Sequence, residues 1–157
     1  MGMDVSGLKP TSERGSYFRA NVWGWRPIHY LCAVANEREE LGYDMSYWGS
    51  NDGAGLKAPT KCRKLANAIE KMVGENENFT NLDDKIYVAM GMWVEAGVGR
   101  FVQETDELDE VYPAGTIMYN SFVDAKGRHI ESAYSIDREF LNEWIAFLRE
   151  CGGFQIW

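Results

Sequence analysis

Helices and antiparallel strands in separate runs, without strict strand-helix alternation, predict an α+β fold: three amphipathic helices packed on a small, mainly antiparallel sheet that includes a β-hairpin at about residues 116–134. Two patterns carry this. Apolar side chains recur at helical spacing in three stretches, and β-branched and aromatic residues flank the turn-like Asp124, Ala125, Lys126 and Gly127. A length of 157 residues, 45 % of them hydrophobic, suffices for one buried core, so residues 1–157 are expected to form a single domain.

In chain order, MDVSGL reads as an edge strand before the turn-rich KPTSERG. Pro27 sits where a helix favours its first residue, and Ile28, Leu31, Val34, Ala35 and Leu41 recur until Gly42, which predicts helix one over about 27–41. A long aromatic and glycine loop, GYDMSYWGSNDGAGLKAP, follows. Cys62, Leu65, Ala66, Ile69, Met72 and Val73 then share one face of a second helix from about Pro59 to Val73, with Gly74 as its stop. ENENFTNLDD is polar and turn-like, and glycines at 91, 97 and 99 interrupt a strand or mixed region over 85–102. After the hairpin, Ser135 can cap a third helix whose Ile136, Phe140, Leu141, Trp144, Ile145 and Leu148 face inward. Gly152 and Gly153 end it, and FQIW closes as a short strand.

Charge and cysteine usage narrow the function classes. Twenty-four acidic against 16 basic residues give a formal charge of −8, which repels a phosphate backbone and favours a partner with a basic surface. Direct nucleic-acid binding is therefore not expected. Cys32, Cys62 and Cys151 are isolated and odd in number, with no C-x-x-C pair, which suits a reducing cytoplasm and argues against a zinc site. No basic-then-apolar leader is visible at the N-terminus, and the longest apolar run, IYVAMGMWV, is about half a bilayer span, so no membrane partner is expected.

MGMDVSGLKPTSERGSYFRANVWGWRPI at the start, NDGAGL before the second helix and FLRECGGFQIW at the finish resemble a family of small, functionally uncharacterised proteins from bacteria and their phages. Its members open with M-G-M-D-V and P-T-S-E-x-G-x-Y-F-R-x-N-V-W-x-W-R-P, and finish with F-L-R-x-S-G-G-F-x-I-C. The resemblance covers roughly half the chain. It implies a phage or prophage accessory protein in the bacterial cytoplasm. Many members carry C-x-x-C pairs in the middle, whereas residues 75–134 here hold no cysteine, so a shared frame with a variable middle segment at 75–134 is implied.

Two stretches are candidate binding sites. In GSYFRANVWGWRP, residues 15–27, Tyr17, Phe18, Val22 and Trp23 can fill a core while Trp25 and Arg26 lead into the first helix. Alternatively Trp23, Trp25 and Arg26 form an aromatic wall with a cationic fork, with Arg19 as a second cation. The core reading is preferred, because dense aromatics near an N-terminal strand are common in small domains. The second stretch offers Gly53, Gly55 and Ala58 in a G-x-G-x-x-A spacing, with Asn51, Asp52 and Lys57 alongside. A glycine-rich entry loop is preferred there, since no clear strand precedes it and Asp52 opposes a phosphate.

No motif amounts to a catalytic signature, and no cofactor or metal is called for. Cys151 is predicted to be a poor nucleophile, because the partial negative charge at the C-terminal end of a helix should raise its pKa. The acidic run Glu104, Asp106, Glu107, Asp109 and Glu110 lacks the glycine and spacing of a calcium loop. The expectation is thus a phage-type, non-enzymatic binding protein that inhibits a host process by occupying a host protein, an anti-CRISPR-like role. The alternative is a protein that binds or sequesters a nucleotide or other small molecule. A homo-oligomer is compatible with either.

Overall fold

A computed structural model of the protein describes residues 2–75, 79–82, 85–88, 121–123, 129–131 and 134–157, and the fold is α+β. The chain divides into two compact units, Met1–Asn76 with Asp137–Trp157, and Glu77–Ile136.

The first unit is built on three short strands, β1 (Gly2–Gly7), β2 (Tyr17–Asn21) and β8 (Phe154–Ile156), in the order β2-β1-β8, with β1 antiparallel to both neighbours. MDVSGL is therefore the central strand, where the sequence suggested an edge. The correction has a simple cause: Val5 lies opposite Ile156, and a pairing that spans nearly the whole chain leaves no local trace. Alternation with a period of two aims Met3, Val5, Phe18, Ala20, Phe154 and Ile156 at one buried face.

Three helices accompany the sheet. The first, α1 (Val22–Arg38), begins five residues before Pro27, the start the sequence suggested. Asn21 is the cause: its side chain accepts a hydrogen bond from the Gly24 amide at 2.8 Å and caps the helix there, leaving Pro27 in the second turn. The second, α2 (Pro59–Glu75), starts at the expected proline and buries Cys62, Leu65, Ala66, Ile69 and Met72. The third, α3 (Arg138–Glu150), has Asp137 and not Ser135 at its N-cap position, without a side-chain cap hydrogen bond, because Tyr134–Asp137 is held as strand β7.

Trp144 of α3 centres the core. Its ring lies 5.0 Å from Phe18, stacks on Phe147 at 5.5 Å, and meets Trp25 and Phe154 edge-on at 5.5 and 5.7 Å. The 3-10 turn Glu13–Gly15 passes so close to the end of α3 that a Cβ on Gly15 would collide with the Glu150 carbonyl. That contact admits glycine alone.

In the second unit β3 (Phe79–Leu82) pairs antiparallel with β4 (Lys85–Val88), Phe79 opposite Val88, and β7 lies on the other side of β4. The expected hairpin is present as β5 (Ser121–Val123) and β6 (His129–Glu131), antiparallel with Phe122 opposite Ile130. Its turn at 124–127, the region 89–102 and the acidic run at 104–110 lie outside the described residues. Charge is divided unevenly in the sequence: residues 1–76 and 137–157 carry 12 basic and 13 acidic side chains, whereas residues 77–136 carry 4 and 11. Most of the net −8 thus belongs to the middle segment.

Candidate functional site

The first unit's sheet has two edges, and its backbone bonding distinguishes them. The Gly7 amide donates to the Ser16 carbonyl at 2.9 Å, which makes Gly7 and Ser16 a hydrogen-bonded pair in the β1-β2 ladder. Such pairs alternate along an antiparallel ladder, so Phe18 and Ala20 face β1 with their amides and carbonyls, while Tyr17 and Arg19 direct theirs outward. Among the described residues no strand pairs with that outer edge.

At the opposite edge the chain closes on itself. Phe154 and Ile156 donate to the carbonyls of Leu56 and Ala54 at 2.7 and 2.8 Å, and the Gly53 amide donates to Ile156 at 2.8 Å. The glycine-rich loop, a binding candidate read by preference as a tight entry loop, is laid along β8 like a further strand. Gly53 has its amide engaged there, and Gly55, at φ +149°, lies so close to Phe154 that a Cβ would collide with its carbonyl. Lys57 Nζ donates to the Gly53 carbonyl at 3.1 Å, Asn51 Nδ2 reaches the Gly2 carbonyl at 3.4 Å, and Asp52 is exposed. Lys57 and Gly53 are thus in direct contact, with the carbonyl of Gly53 already occupied by the lysine, while Asn51 turns to β1.

The tryptophans of residues 15–27 part company. Trp25 is buried, its indole Nε1 donating to the Trp48 carbonyl at 2.8 Å. Trp23, on the first turn of α1, keeps 63 % of its surface exposed; Tyr17 keeps 51 % and Val22 41 %. The core assignment of Tyr17, Val22 and Trp23 is thus reversed, and only Phe18 of that set points inward. The reason is the cap at Asn21, which rotates Val22 and Trp23 off the buried stripe that Trp25, Ile28, Leu31 and Cys32 define. Arg26 is exposed, on the same helix, one residue past Trp25.

Beside the open edge lies a cleft of about 300 Å³ lined by Arg14, Tyr17, Phe18, Arg19 and Glu143. Phe18 and Tyr17 point to opposite faces of β2, so a cleft lined by both straddles the edge of the strand. Arg14 and Arg19 are largely exposed, at 73 % and 67 % of their side chains, and each rests against a carboxylate: Arg14 on Glu150 at 3.2 Å, Arg19 on Asp4 at 3.7 Å. The Tyr17 hydroxyl donates to the same Asp4, which raises the pKa of the phenol above its ordinary value. Sequence reasoning flagged Arg19 and missed the cleft. The alternation of Tyr17 and Arg19 with Phe18 and Ala20 held part of the signal; Glu143, more than a hundred residues away, had none.

The thiols are withdrawn from solvent. Cys32, Cys62 and Cys151 are free and buried, and burial pushes Cys32 up to about 12. Cys151 differs from expectation: it lies below its ordinary value, because the Cys62 thiol hydrogen-bonds to it and the Gly153 backbone supports it, outweighing burial. Its partner Cys62 is raised, by that same hydrogen bond and by burial. Burial of Cys151 keeps a substrate from the sulfur, so its favourable acidity gives no nucleophile. His29 places Nε2 3.0 Å from the Met45 carbonyl, and its affinity for a proton is lowered by burial. Among the described residues no helix is long and apolar enough to cross a membrane.

No protein-family model, no curated protein and no solved structure matches the chain.

Proposed function

We propose that the protein is a non-enzymatic binding protein: a phage-type accessory factor that inhibits a host process, in the manner of an anti-CRISPR factor, by occupying a host protein. The observation that carries the binding part of this reading is the exposure of Tyr17, Val22 and Trp23 on one short strand-to-helix segment, next to the exposed arginines 14 and 19. Tyrosine, tryptophan and arginine are the side chains most enriched in interface anchors, and an aromatic left in water on a small unit is a common mark of a contact surface. The inhibitory role is supported by the resemblance of both chain ends to phage proteins.

The test is a plating assay in a bacterium with an active CRISPR system. Expression of the protein is expected to restore plaque formation by a targeted phage, and Trp23→Ala, purified and shown to be folded by circular dichroism, is expected to lose much of that effect. Unchanged plating with the folded wild-type protein present across the CRISPR types tried would sink the inhibitory reading. Native mass spectrometry of the purified protein separates the alternative: a retained small-molecule mass would replace a protein partner with a ligand.

A further inference from the structure

We infer that Cys62 and Cys151 are an oxidisable thiol pair, which hydrogen peroxide converts to a disulfide that ties the start of α2 to the end of α3. The inference stands apart from the reading of the protein as a host-directed factor. Cys62 lies in the first turn of α2, and Cys151 follows the last residue of α3. Backbone geometry draws the two together. The Leu56 carbonyl accepts from the Phe154 amide at 2.7 Å and has Cys62 Sγ 3.8 Å away, so Cys62 sits against the turn that leads out of α3. That turn passes from Cys151 through Gly152 and Gly153, both at positive φ, and folds back over the helix end. A Cβ on Gly153 would collide with the Lys57 carbonyl. The sulfurs meet inside this close approach: the Cys62 thiol hydrogen-bonds to Cys151, whose Sγ lies 3.6 Å from the Leu148 carbonyl.

In the closed fold burial shuts out an ordinary substrate, so the oxidant must be small and must enter when the covering segment lifts. That segment is residues 53–57, held along β8 by three backbone hydrogen bonds and resting on Gly153. The Cys151 sulfur, the more acidic thiol of the pair, takes one peroxide oxygen as the O–O bond breaks; the other oxygen leaves as water with the thiol proton. The Cys62 sulfur then displaces the hydroxyl from Cys151, and that oxygen leaves as a second water with the Cys62 proton. Two thiols and one peroxide thus give one disulfide and two waters, with both sulfurs oxidised and both oxygens reduced. Sulfurs already in hydrogen-bond contact need only a small shift to bond. The third thiol, Cys32, is buried on α1 with its pKa pushed up to about 12, which keeps it protonated and unreactive. The new bond closes a covalent loop that contains all of residues 77–136.

The experiment treats the full, folded chain with hydrogen peroxide, then unfolds it in a maleimide and weighs it by intact mass spectrometry, so that no mutation is needed. The chain is expected to lose two hydrogens and to take one maleimide, on Cys32, where the untreated protein takes one on each of its three thiols. A peptide map without reductant should join the Cys62 peptide to the Cys151 peptide, and dithiothreitol should restore all three labels. The urea midpoint of the oxidised protein should rise, because the bond restricts the unfolded chain. Cys32→Ala should form the same bond. Gly55→Ala, which loosens residues 53–57, should speed the loss of thiols at least about threefold. Three labels after treatment, a sulfinic acid at Cys151 with Cys62 still free, a bond that includes Cys32, or a link between two chains would each overturn the inference. An unchanged rate in Gly55→Ala would overturn the route through the loop.

Discussion

The two edges of one small sheet are treated in opposite ways. Along β8, residues 53–57 close the edge with three backbone hydrogen bonds, and Gly55 lets the chain lie flat against Phe154. Along β2, no strand pairs with the edge among the described residues, and arginines 14 and 19 flank it, with Trp23 and Tyr17 more than half exposed beside it. An uncovered edge is a hazard for aggregation that small domains usually cover or blunt. Among the described residues, the chain covers one edge of this sheet and not the other.

The core beneath both edges is the first place to probe this division. Trp144→Ala removes the ring that touches Phe18, Trp25, Phe147 and Phe154, and should lower unfolding stability by about 3–5 kcal/mol in a urea titration. Exchange protection should fall at β2 and β8 alike. Gly55→Ala acts on the closed edge alone. A side chain at φ +149° that also strikes the Phe154 carbonyl should cost about 1–3 kcal/mol. Protection at the Phe154 and Ile156 amides should drop while that at Phe18 holds; equal loss at both would mean that the edges are not independent.

Acid offers a graded version of the same test. Burial lowers the proton affinity of His29, which sits against Met45 and Trp48 in the segment that leads to the closing loop. A base held neutral in the fold and free to protonate when unfolded contributes stability that is fully present above its unfolded value near 6.5 and is lost as pH falls through the lower folded one. Midpoints in urea should therefore decline below about pH 6.5, and His29→Gln should flatten that decline; a variant with the same slope as the wild type would exclude His29 as its source. The smallest effect belongs to the open edge. Trp23→Ala should change stability by no more than about 0.5 kcal/mol, since the ring is largely in water. A larger loss would show that Trp23 supports the fold and would weaken the case for a contact surface.

How much of this was legible in the sequence follows from how local each cause is. Helix α2 was readable to within two residues because Cys62, Leu65, Ala66, Ile69 and Met72 make one stripe without help from elsewhere. Pro27, favoured at a first helical position, set the expected start of α1 five residues too late. The deciding event is a single hydrogen bond from the Gly24 amide to Asn21, and a Cβ at Gly24 would press on Phe140 of a distant helix. The N-terminal strand was recognised, but its central place depends on Val5 facing Ile156, which no window of sequence contains. The same holds for the loop at 53–57: its glycines were noticed, and their use was not, because the partner is the final strand. The aromatic segment was half legible, since alternation separates Tyr17 and Arg19 from Phe18 and Ala20 while helical phase, once the cap is known, separates Trp23 from Trp25.

The central place of β1 has a consequence for biosynthesis. The ribosome releases the N-terminal hairpin early, yet the Ile156 that flanks it is made 135 residues after Asn21. At translation speeds of about 5–20 residues per second, that interval is on the order of ten seconds. Throughout it the underside formed by Met3, Val5, Phe18 and Ala20 has neither Trp144 nor Phe154 to cover it. Nascent chains stalled before residue 138 should therefore engage chaperones strongly, and release should track the emergence of the last twenty residues.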